Sequence, residues 1–498
     1  MTSSSSGPDS RIRAIVLAAG LGTRMRSRTP KVLHHLGGRP LLAWVLDAAR
    51  EATGAPPIVV VSPATVAVRD VFGEAAVWAL QDEPRGTADA VRAGLAQLPE
   101  ATEEVLVLSG DVPRIEADLL RRLAETRRLD AAVMTLLVVD AVDPTGYGRI
   151  VRTAGGSVER IVEEKDADEA ILELSEINAG TYAFDAAWLR RRIGDVRPSP
   201  ATGELYLTEL VELARAEGRL VTSLDVEDDG RQLGINDRVQ LAQAEWDLRM
   251  ETNTRLMRAG VTMLDPSTVY ADPGVEVAAD VILEPFVVLR GRTRIGEGTW
   301  IGAGSQIIDS TVGRDCRIWA SIVEGSTIGD RVSIGPFSHL RPGSVVDDEA
   351  EIGNYAEIKN SHLGRRVKQH HMSYLGDAEV GEETNVGAGT ITANYDGQRK
   401  HRTTIGRRVF LGVDTMLRAP ITVGDGAKTG AGAVVTHDVP PGTLVVGVPA
   451  RIREPKPAPA SDGSGAASPS TDASPSTDAR ASAGAEASPE PETSGGGR

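Results

Sequence analysis

Aliphatic residues recur at every sixth position through much of the second half of this chain, a period that neither an α-helix (3.6) nor a simple strand (2) can produce. Ile295, Ile301 and Ile307 open the pattern. A longer run follows at Ile322, Ile328, Ile334, Leu340, Val346, Ile352 and Ile358. Further pieces lie at Val380 and Val386, at Ile405 and Leu411, and at Ile421, Ala427 and Ala433. Hexapeptide repeats account for this: each repeat makes one face of a triangular coil, and stacked coils bury the aliphatic column. The spacing therefore predicts a left-handed parallel β-helix over residues 261–453. Several of the aliphatic residues precede glycine, as in Ile295-Gly296, Ile334-Gly335 and Ile352-Gly353, where glycine is expected to supply the turn geometry. Aromatic residues make up only 4% of the chain, which suits a core packed by Ile, Val, Leu and Ala. The polar stretch Asn394–Thr404 interrupts the hexads and is expected to loop out as part of a binding face.

The first half has a different rhythm. Short apolar runs at Ile12–Leu17, Ile58–Val61, Val105–Leu108 and Ala131–Val139 alternate with helical segments. That alternation predicts an α/β, Rossmann-like domain over 11–236, with a mainly parallel sheet and ligands at the carboxyl ends of its strands. A linker helix is expected over 237–260, with Val239, Leu241, Ala244 and Leu248 at helical spacing. The Ser-rich residues 1–10 and the Pro/Ala/Ser/Gly tail 454–498, which contains SPSTDA twice, are too poor in apolar residues to fold and are expected to be disordered. A net charge of −16 argues against nucleic acid or anionic membrane as partners, so a phosphate site must be a local cluster of cations. The single cysteine, Cys316, cannot form an internal disulfide. With no secretion-signal pattern and no membrane-length apolar run, the expected location is the cytoplasm, without membrane insertion.

The first strand runs into Leu17-Ala18-Ala19-Gly20-Leu21-Gly22-Thr23-Arg24-Met25, followed by Pro30-Lys31. Gly20 and Gly22 would let the backbone approach a triphosphate. A following helix would add N–H groups and its dipole, and Arg24 and Lys31 would neutralise charge. Gly110-Asp111-Val112-Pro113 follows the strand Val105–Leu108 and places a carboxylate at a strand's carboxyl end, where Asp111 is the leading Mg²⁺ ligand. The sequence LAAGLGTRM with PK resembles the signature of sugar-1-phosphate nucleotidyltransferases, and in particular the N-acetylglucosamine-1-phosphate uridyltransferases. The resemblance implies UTP contacts at Leu17, Ala18, Ala19, Gly20, Arg24 and Lys31, with Gln81, Gly86 and Thr87 reading uracil. It implies sugar contacts at Gly148, Glu163 and Asn178, with Tyr206 beside them, and metal sharing between Asp111 and Asn236 of Gly234-Ile235-Asn236. The chain departs from the family at Pro84-Arg85 and at Ala88, inside the base-reading segment.

Acetyl transfer to an amine needs a base for the amine proton, and histidine titrates nearest working pH. Gln369-His370-His371-Met372-Ser373-Tyr374-Leu375-Gly376-Asp377, within the repeats, resembles the acetyltransferase signature of the bifunctional uridyltransferase/glucosamine-1-phosphate N-acetyltransferase family. The resemblance makes His371 the general base with His370 as neighbour. It assigns Arg341, Lys359, Tyr374 and Asn385 to glucosamine-1-phosphate, Ala388, Asn394, Tyr395, Val413 and Ala431 to acetyl-CoA, and Lys400 to the protruding loop as a further cation. Val413 stands where the family usually has Ser, and Gly447 where some members have Arg, with Arg451 nearby. The implied activity is acetylation of glucosamine-1-phosphate followed by Mg²⁺-dependent uridylyl transfer from UTP, in a homotrimer with sites between adjacent β-helices. Two alternatives are a nucleotidyltransferase whose β-helix only assembles or regulates, which predicts no release of CoA thiol, and a scaffold that has kept both folds without chemistry.

Overall fold

The computed structural model of the chain describes residues 11–200 and 202–453; the terminal segments 1–10 and 454–498, expected to be disordered, lie outside the described residues. The first half is built on a twisted sheet whose main path has seven strands: β1 (Ile12–Leu17), β2 (Ile58–Val61), β3 (Val77–Leu80), β4 (Glu104–Ser109), β5 (Met134–Asp140), β6 (Glu176–Asp185) and β7 (Val221–Glu227). They lie in the order β7-β5-β6-β4-β1-β2-β3. Only β6 runs against its neighbours on this path, β4 and β5. Successive side chains face opposite layers: Ile15, Val107 and Phe184 pack on one side, and Val16, Leu106 and Ala183 on the other. Burial on both faces is why the inner strands β1, β2, β4 and β5 read as apolar runs. Helices α1 (Leu41–Thr53) and α3 (Ala117–Leu129) cover one face through Leu42, Val45, Leu120 and Leu123. Helix α2 (Thr87–Leu95) covers the other through Ala90 and Val91. The strand expected from Ala131 begins three residues later, at Met134, because Ala131 takes a left-handed conformation (φ 52°) that ends α3.

Helix α4 (Arg238–Arg258) is the expected linker, capped by the Asp237 carboxylate, which accepts the N–H groups of Val239 and Gln240, both at 2.8 Å. It is fastened at both ends. Leu241, Ala244 and Leu248 pack on Leu36, Leu41 and Ile235, whereas Val239, expected in the same stripe, is 78% exposed. Farther along, Leu256 enters the core of the β-helix, and the buried Asn253 amide donates to the carbonyls of Pro266 (2.8 Å) and Val269 (2.9 Å).

The second half is the parallel left-handed β-helix of hexapeptide repeats. Among the described residues its three sheets hold 12, 10 and 9 short strands. One inward column runs Leu283, Ile301, Ile318, Ile334, Ile352, Gln369, each in register with the next. Three hexads make one coil, so a period of six in sequence becomes a stack in space. A second buried column, two residues before each aliphatic, holds small side chains such as Ser305, Ser338, Ala350 and Thr384. Three sequence expectations change here. Val323, not Ile322, points inward, because that coil is a residue short. Ile421, Ala427 and Ala433 are buried, but in the small-residue column, with Val423, Thr429 and Val435 in the strand column. Most glycines after the aliphatics do not turn the chain: of those named above, only Gly335 has a positive φ (113°).

Close coil-to-coil approach is what requires most of them. A Cβ on Gly296 would lie 2.6 Å from the carbonyl carbon and oxygen of Gly313 in the next coil. Gly296→Ala is therefore expected to destabilise the β-helix by about 1–3 kcal/mol, the usual cost of overpacking a tight core, measurable by denaturant titration. An unshifted midpoint would show that the coils can part at no cost. Cys316 lies in the small-residue column with its thiol donating to the Gly329 carbonyl at 3.1 Å, and burial pushes its pKa up to about 11. Among the described residues no helix is long and apolar enough to cross a membrane.

Candidate active sites

The carboxyl ends of β1, β3 and β4 open on one edge of the sheet, and the residues that follow them build the first site. The expected helix after the glycine turn is only a three-residue 3₁₀ turn, Thr23–Met25, too short to carry a useful dipole. What the loop offers an anion instead is side-chain cations and open backbone. A Cβ on Gly20 would meet nothing within 4 Å, so the loop faces open space, while Ala18 and Ala19 are buried beneath it. Gly22 is left-handed (φ 60°), and a Cβ there would press on the Lys31 side chain at 2.6 Å. Arg24 is exposed.

The Lys31 ammonium pairs with the Asp111 carboxylate and donates to Asn236 Oδ1 at 3.1 Å. Asp111 and Asn236 are separated by over a hundred residues yet aim oxygens at one cationic group. The backbone fixes this: the Gly110 N–H donates to the Leu17 carbonyl, and the Ile235 N–H to the Asp111 carbonyl, both at 2.9 Å. An all-oxygen pair already gathered around a cation is the donor set a hard divalent ion takes, with phosphate and water completing its shell.

The residues expected to meet the sugar also converge. The Asn178 N–H donates to the Gly148 carbonyl at 2.9 Å, and Thr208 donates its hydroxyl to Glu163 Oε1 at 3.1 Å. A Cβ on Gly148 would lie 3.4 Å from Glu163 Oε2, so glycine keeps the carboxylate accessible. Burial raises the pKa of Glu163 above the ordinary carboxylate value. Both ends of the Asn178 side chain have partners, Tyr182 OH (2.6 Å) and the Gly180 N–H (3.2 Å). Tyr206 bonds to Thr202 at 2.8 Å. Two residues the sequence reading missed tie the parts together. The Tyr147 hydroxyl receives the Gly234 N–H at 2.9 Å, joining the segment before Gly148 to the stretch ahead of α4 that carries Asn236; burial pushes its pKa up to about 12. Thr208 positions Glu163. Tyr147 stands beside Gly148 in sequence, which was the available signal.

Gln81, at the end of β3, is buried, and its amide nitrogen donates to Gly86 O (3.1 Å) and to Asp89 Oδ2 (2.9 Å). The Thr87 hydroxyl accepts the Leu207 N–H at 2.9 Å, which links the base segment to the sugar segment.

On the β-helix, one corner forms a ladder. The Gly389 N–H donates to the Met372 carbonyl (2.7 Å), the Asp414 N–H to Ala388 (2.6 Å) and the Gly432 N–H to Val413 (2.8 Å). The corner thus stacks His371-Met372, Ala388, Val413 and Ala431 in successive coils. His370 bonds Glu351 at 2.7 Å and meets the His371 ring edge-on at 6.4 Å. Among the described residues nothing hydrogen-bonds the exposed His371 ring. Asn385 begins the strand leading to this corner and is half-buried. At the other end of the strand Ser373–Gly376 lie the cations. Lys359 pairs with Gly376 in the ladder, and Arg341 follows Leu340 one coil below. Direct contact with the Lys400 ammonium, with Arg341 adding to it, holds Lys359 below its ordinary pKa of 10.5. Three like charges gathered this way favour an anion between them, although Arg341 also pairs with Glu357 at 2.9 Å. Tyr374 lies between the two ends, and both its hydroxyl and the Asn394 amide crowd the place where a side chain on Gly376 would go. Asn394 Nδ2 is held by Asp377 at 2.6 Å. Tyr395 is exposed in the protruding loop, its hydroxyl donating to Gly397 O at 2.7 Å.

Residues 14–174 match the MobA-like NTP transferase domain family. Residues 325–360 match the bacterial transferase hexapeptide (six repeats) family, and 402–437 the hexapeptide repeat of succinyl-transferase. A protein named Bifunctional protein GlmU from Heliobacterium modesticaldum is 46% identical over 433 residues, 87% of this chain and 94% of that one. Its namesake from Rhodococcus opacus is 43% identical over 473 residues, 91% and 95% of the two chains. The one from Streptomyces avermitilis is 45% identical over 437 residues, 87% and 91%. Likeness at this level runs through the sheet, the linker helix and the repeats alike, so this chain belongs to the GlmU family of bifunctional proteins.

Proposed function

We infer that the chain makes UDP-N-acetylglucosamine in two reactions: acetylation of glucosamine-1-phosphate by acetyl-CoA on the β-helix, then uridylyl transfer from UTP to the N-acetylglucosamine-1-phosphate so formed. The observation that carries this reading is the presence in one GlmU-family chain of two separate polar clusters, the Asp111–Asn236 oxygen pair at Lys31, suited to a metal-bound phosphate, and the cations Arg341, Lys359 and Lys400, suited to a phosphate alone. A β-helix that merely assembled subunits would have no use for the second.

In the first reaction Arg341, Lys359 and Lys400 hold the sugar phosphate, and Tyr374 and Asn385 line the sugar between them and His371. The His371 ring takes the proton as the amine nitrogen bonds to the thioester carbonyl carbon; the C–S bond then breaks and CoA leaves as the thiol. Ala388, Val413 and Ala431 give the donor a path up the corner, with Asn394 and Tyr395 beside it. In the second reaction a sugar-phosphate oxygen attacks the α-phosphorus of UTP and pyrophosphate leaves. The open backbone from Leu17 to Gly20 receives the phosphates, Arg24 and Lys31 neutralise them, Gln81, Gly86 and Thr87 meet the base, and Gly148, Glu163 and Asn178 hold the sugar. Mg²⁺ fits the Asp111–Asn236 oxygen pair, and when bound it neutralises triphosphate charge.

A homotrimer with acetyl sites between neighbouring prisms fits the exposed row Phe286, Phe337, Tyr355 and Met372, which runs along the corner that bears His371. Light scattering at three chain masses would support it. The cytoplasm, where thiols stay reduced, suits the free Cys316.

Incubating the protein with glucosamine-1-phosphate, acetyl-CoA, UTP and Mg²⁺ should give CoA, pyrophosphate and UDP-N-acetylglucosamine by mass analysis. Failure to consume either the thioester or the nucleotide would overturn the reading. The lowered pKa of Lys359 sets a pH dependence. Lys400 and Arg341 disfavour its charged form, so it sheds its proton at a lower pH than an isolated lysine, and kcat/KM for glucosamine-1-phosphate is expected to fall there. Lys400→Met should move that alkaline limb to higher pH; an unmoved limb would remove Lys359 from the phosphate site.

A further inference from the structure

We propose that Asp89, to which the sequence reading gave no role, is a positioning residue that sets the base specificity of uridylyl transfer by fixing which way the Gln81 amide faces. The proposal rests on the placement of Gln81 at the base in the functional reading above. Asp89 stands in the first turn of α2, is buried, and is ion-paired with Arg92. Its Oδ2 accepts one hydrogen of Gln81 Nε2 at 2.9 Å, and the Gly86 carbonyl accepts the other at 3.1 Å. A carboxylate and a carbonyl only accept, so the reverse orientation would set the Gln81 oxygen against two acceptors. The amide is therefore locked with its nitrogen inward. Gln81 Oε1 accepts from none of the described residues and is not among the buried unpaired atoms, so it remains open to a ligand. The Gly86 N–H likewise donates to none of the described residues.

The Gly86 backbone is itself pinned. Leu205 donates its N–H to Arg85 O (2.7 Å) and accepts the Ala88 N–H (2.9 Å), and a Cβ on Gly86 would strike the Leu205 carbonyl at 2.5 Å. The base edge thus meets one fixed acceptor, Gln81 Oε1, beside one fixed donor, the Gly86 N–H. An imide base offers the complement, N3–H to the acceptor and a ring carbonyl to the donor. Cytosine in the same pose would turn the N3 lone pair onto Oε1. Discrimination of this kind is strong because the wrong base leaves buried polar groups opposed. Asp89 supplies it without touching substrate, by denying the amide its other rotamer.

The test uses the full chain with Mg²⁺ and N-acetylglucosamine-1-phosphate, reading pyrophosphate release from UTP, CTP and N3-methyl-UTP. The unaltered protein is expected to prefer UTP over both others by at least about a hundredfold in kcat/KM. In Asp89→Asn the side chain can donate as well as accept, so Gln81 can turn. The UTP/CTP ratio is then expected to fall about tenfold, through a higher KM for UTP with kcat within threefold, while acetyl transfer reports a folded protein. An unchanged ratio in an Asp89→Asn protein that still acetylates would overturn the proposal. So would equal use of UTP and N3-methyl-UTP by the unaltered protein, an arm that holds even if the variant does not fold. Absence of pyrophosphate release from every nucleotide would instead overturn the functional reading beneath it.

Discussion

His371→Ala is expected to cut acetyl transfer by roughly a hundred- to ten-thousandfold, the range a positioned general base contributes, while uridylyl transfer stays within twofold. The reason is local. The His371 ring is exposed and hydrogen-bonds nothing among the described residues, so its removal opens no cavity and leaves the coil intact. His370, bonded to Glu351 at 2.7 Å, faces another partner and cannot take over the proton. The measurement is release of CoA thiol beside release of pyrophosphate on the same preparation. Equal loss of both activities would contradict the assignment of one reaction to each half, and retention of thiol release would move the base elsewhere.

Asp111→Ala is expected to have the complementary effect: pyrophosphate release falls on the order of a thousandfold, as when a group that stabilises transition-state charge is lost, and acetylation persists. Asp111 is the carboxylate that meets Lys31 and Asn236, and no group of three or more His, Cys, Asp or Glu suited to holding a metal occurs among the described residues. Without Asp111, Lys31 keeps only the Asn236 amide oxygen. Mg²⁺ binding, followed by calorimetry with a non-hydrolysable UTP analogue, should weaken in parallel. Undiminished release would remove Asp111 from the metal site.

The solenoid was plain in the sequence because its period belongs to no other fold, yet the inward column slipped by one at Ile322. A coil one residue short carries no mark in a list of aliphatics, since Ile322 and Val323 are equally apolar and only the register with Leu340 tells them apart. The glycines after Ile295 and Ile352 were visible, but their cause was not: sequence shows a missing side chain, and only stacking shows the carbonyl that forbids one. In the nucleotide half, Lys31, Asp111 and Asn236 could each be found by motif. Their convergence depends on backbone bonds from Gly110 to Leu17 and from Ile235 to Asp111, contacts between segments far apart in the chain. Tyr147 and Thr208 went unseen for the same reason, because each works by holding a residue distant in sequence, Gly234 and Glu163, and Asp89 because only the turn into α2 brings it against Gln81. The mutual repulsion of Lys359 and Lys400 was likewise invisible, as a loop and a strand had to be brought face to face.

The fastening of α4 at both ends has a consequence for traffic. This helix of 21 residues spans about 32 Å, and five coils, about 24 Å at strand spacing, separate Leu283 from the level of His371. Packing at both ends of α4 ties the two chambers to one frame, and a single amino sugar is far too small to bridge them. An acetylated molecule is therefore expected to pass through bulk water before recapture, so that the second chamber would draw on a shared pool filled by every copy of the enzyme.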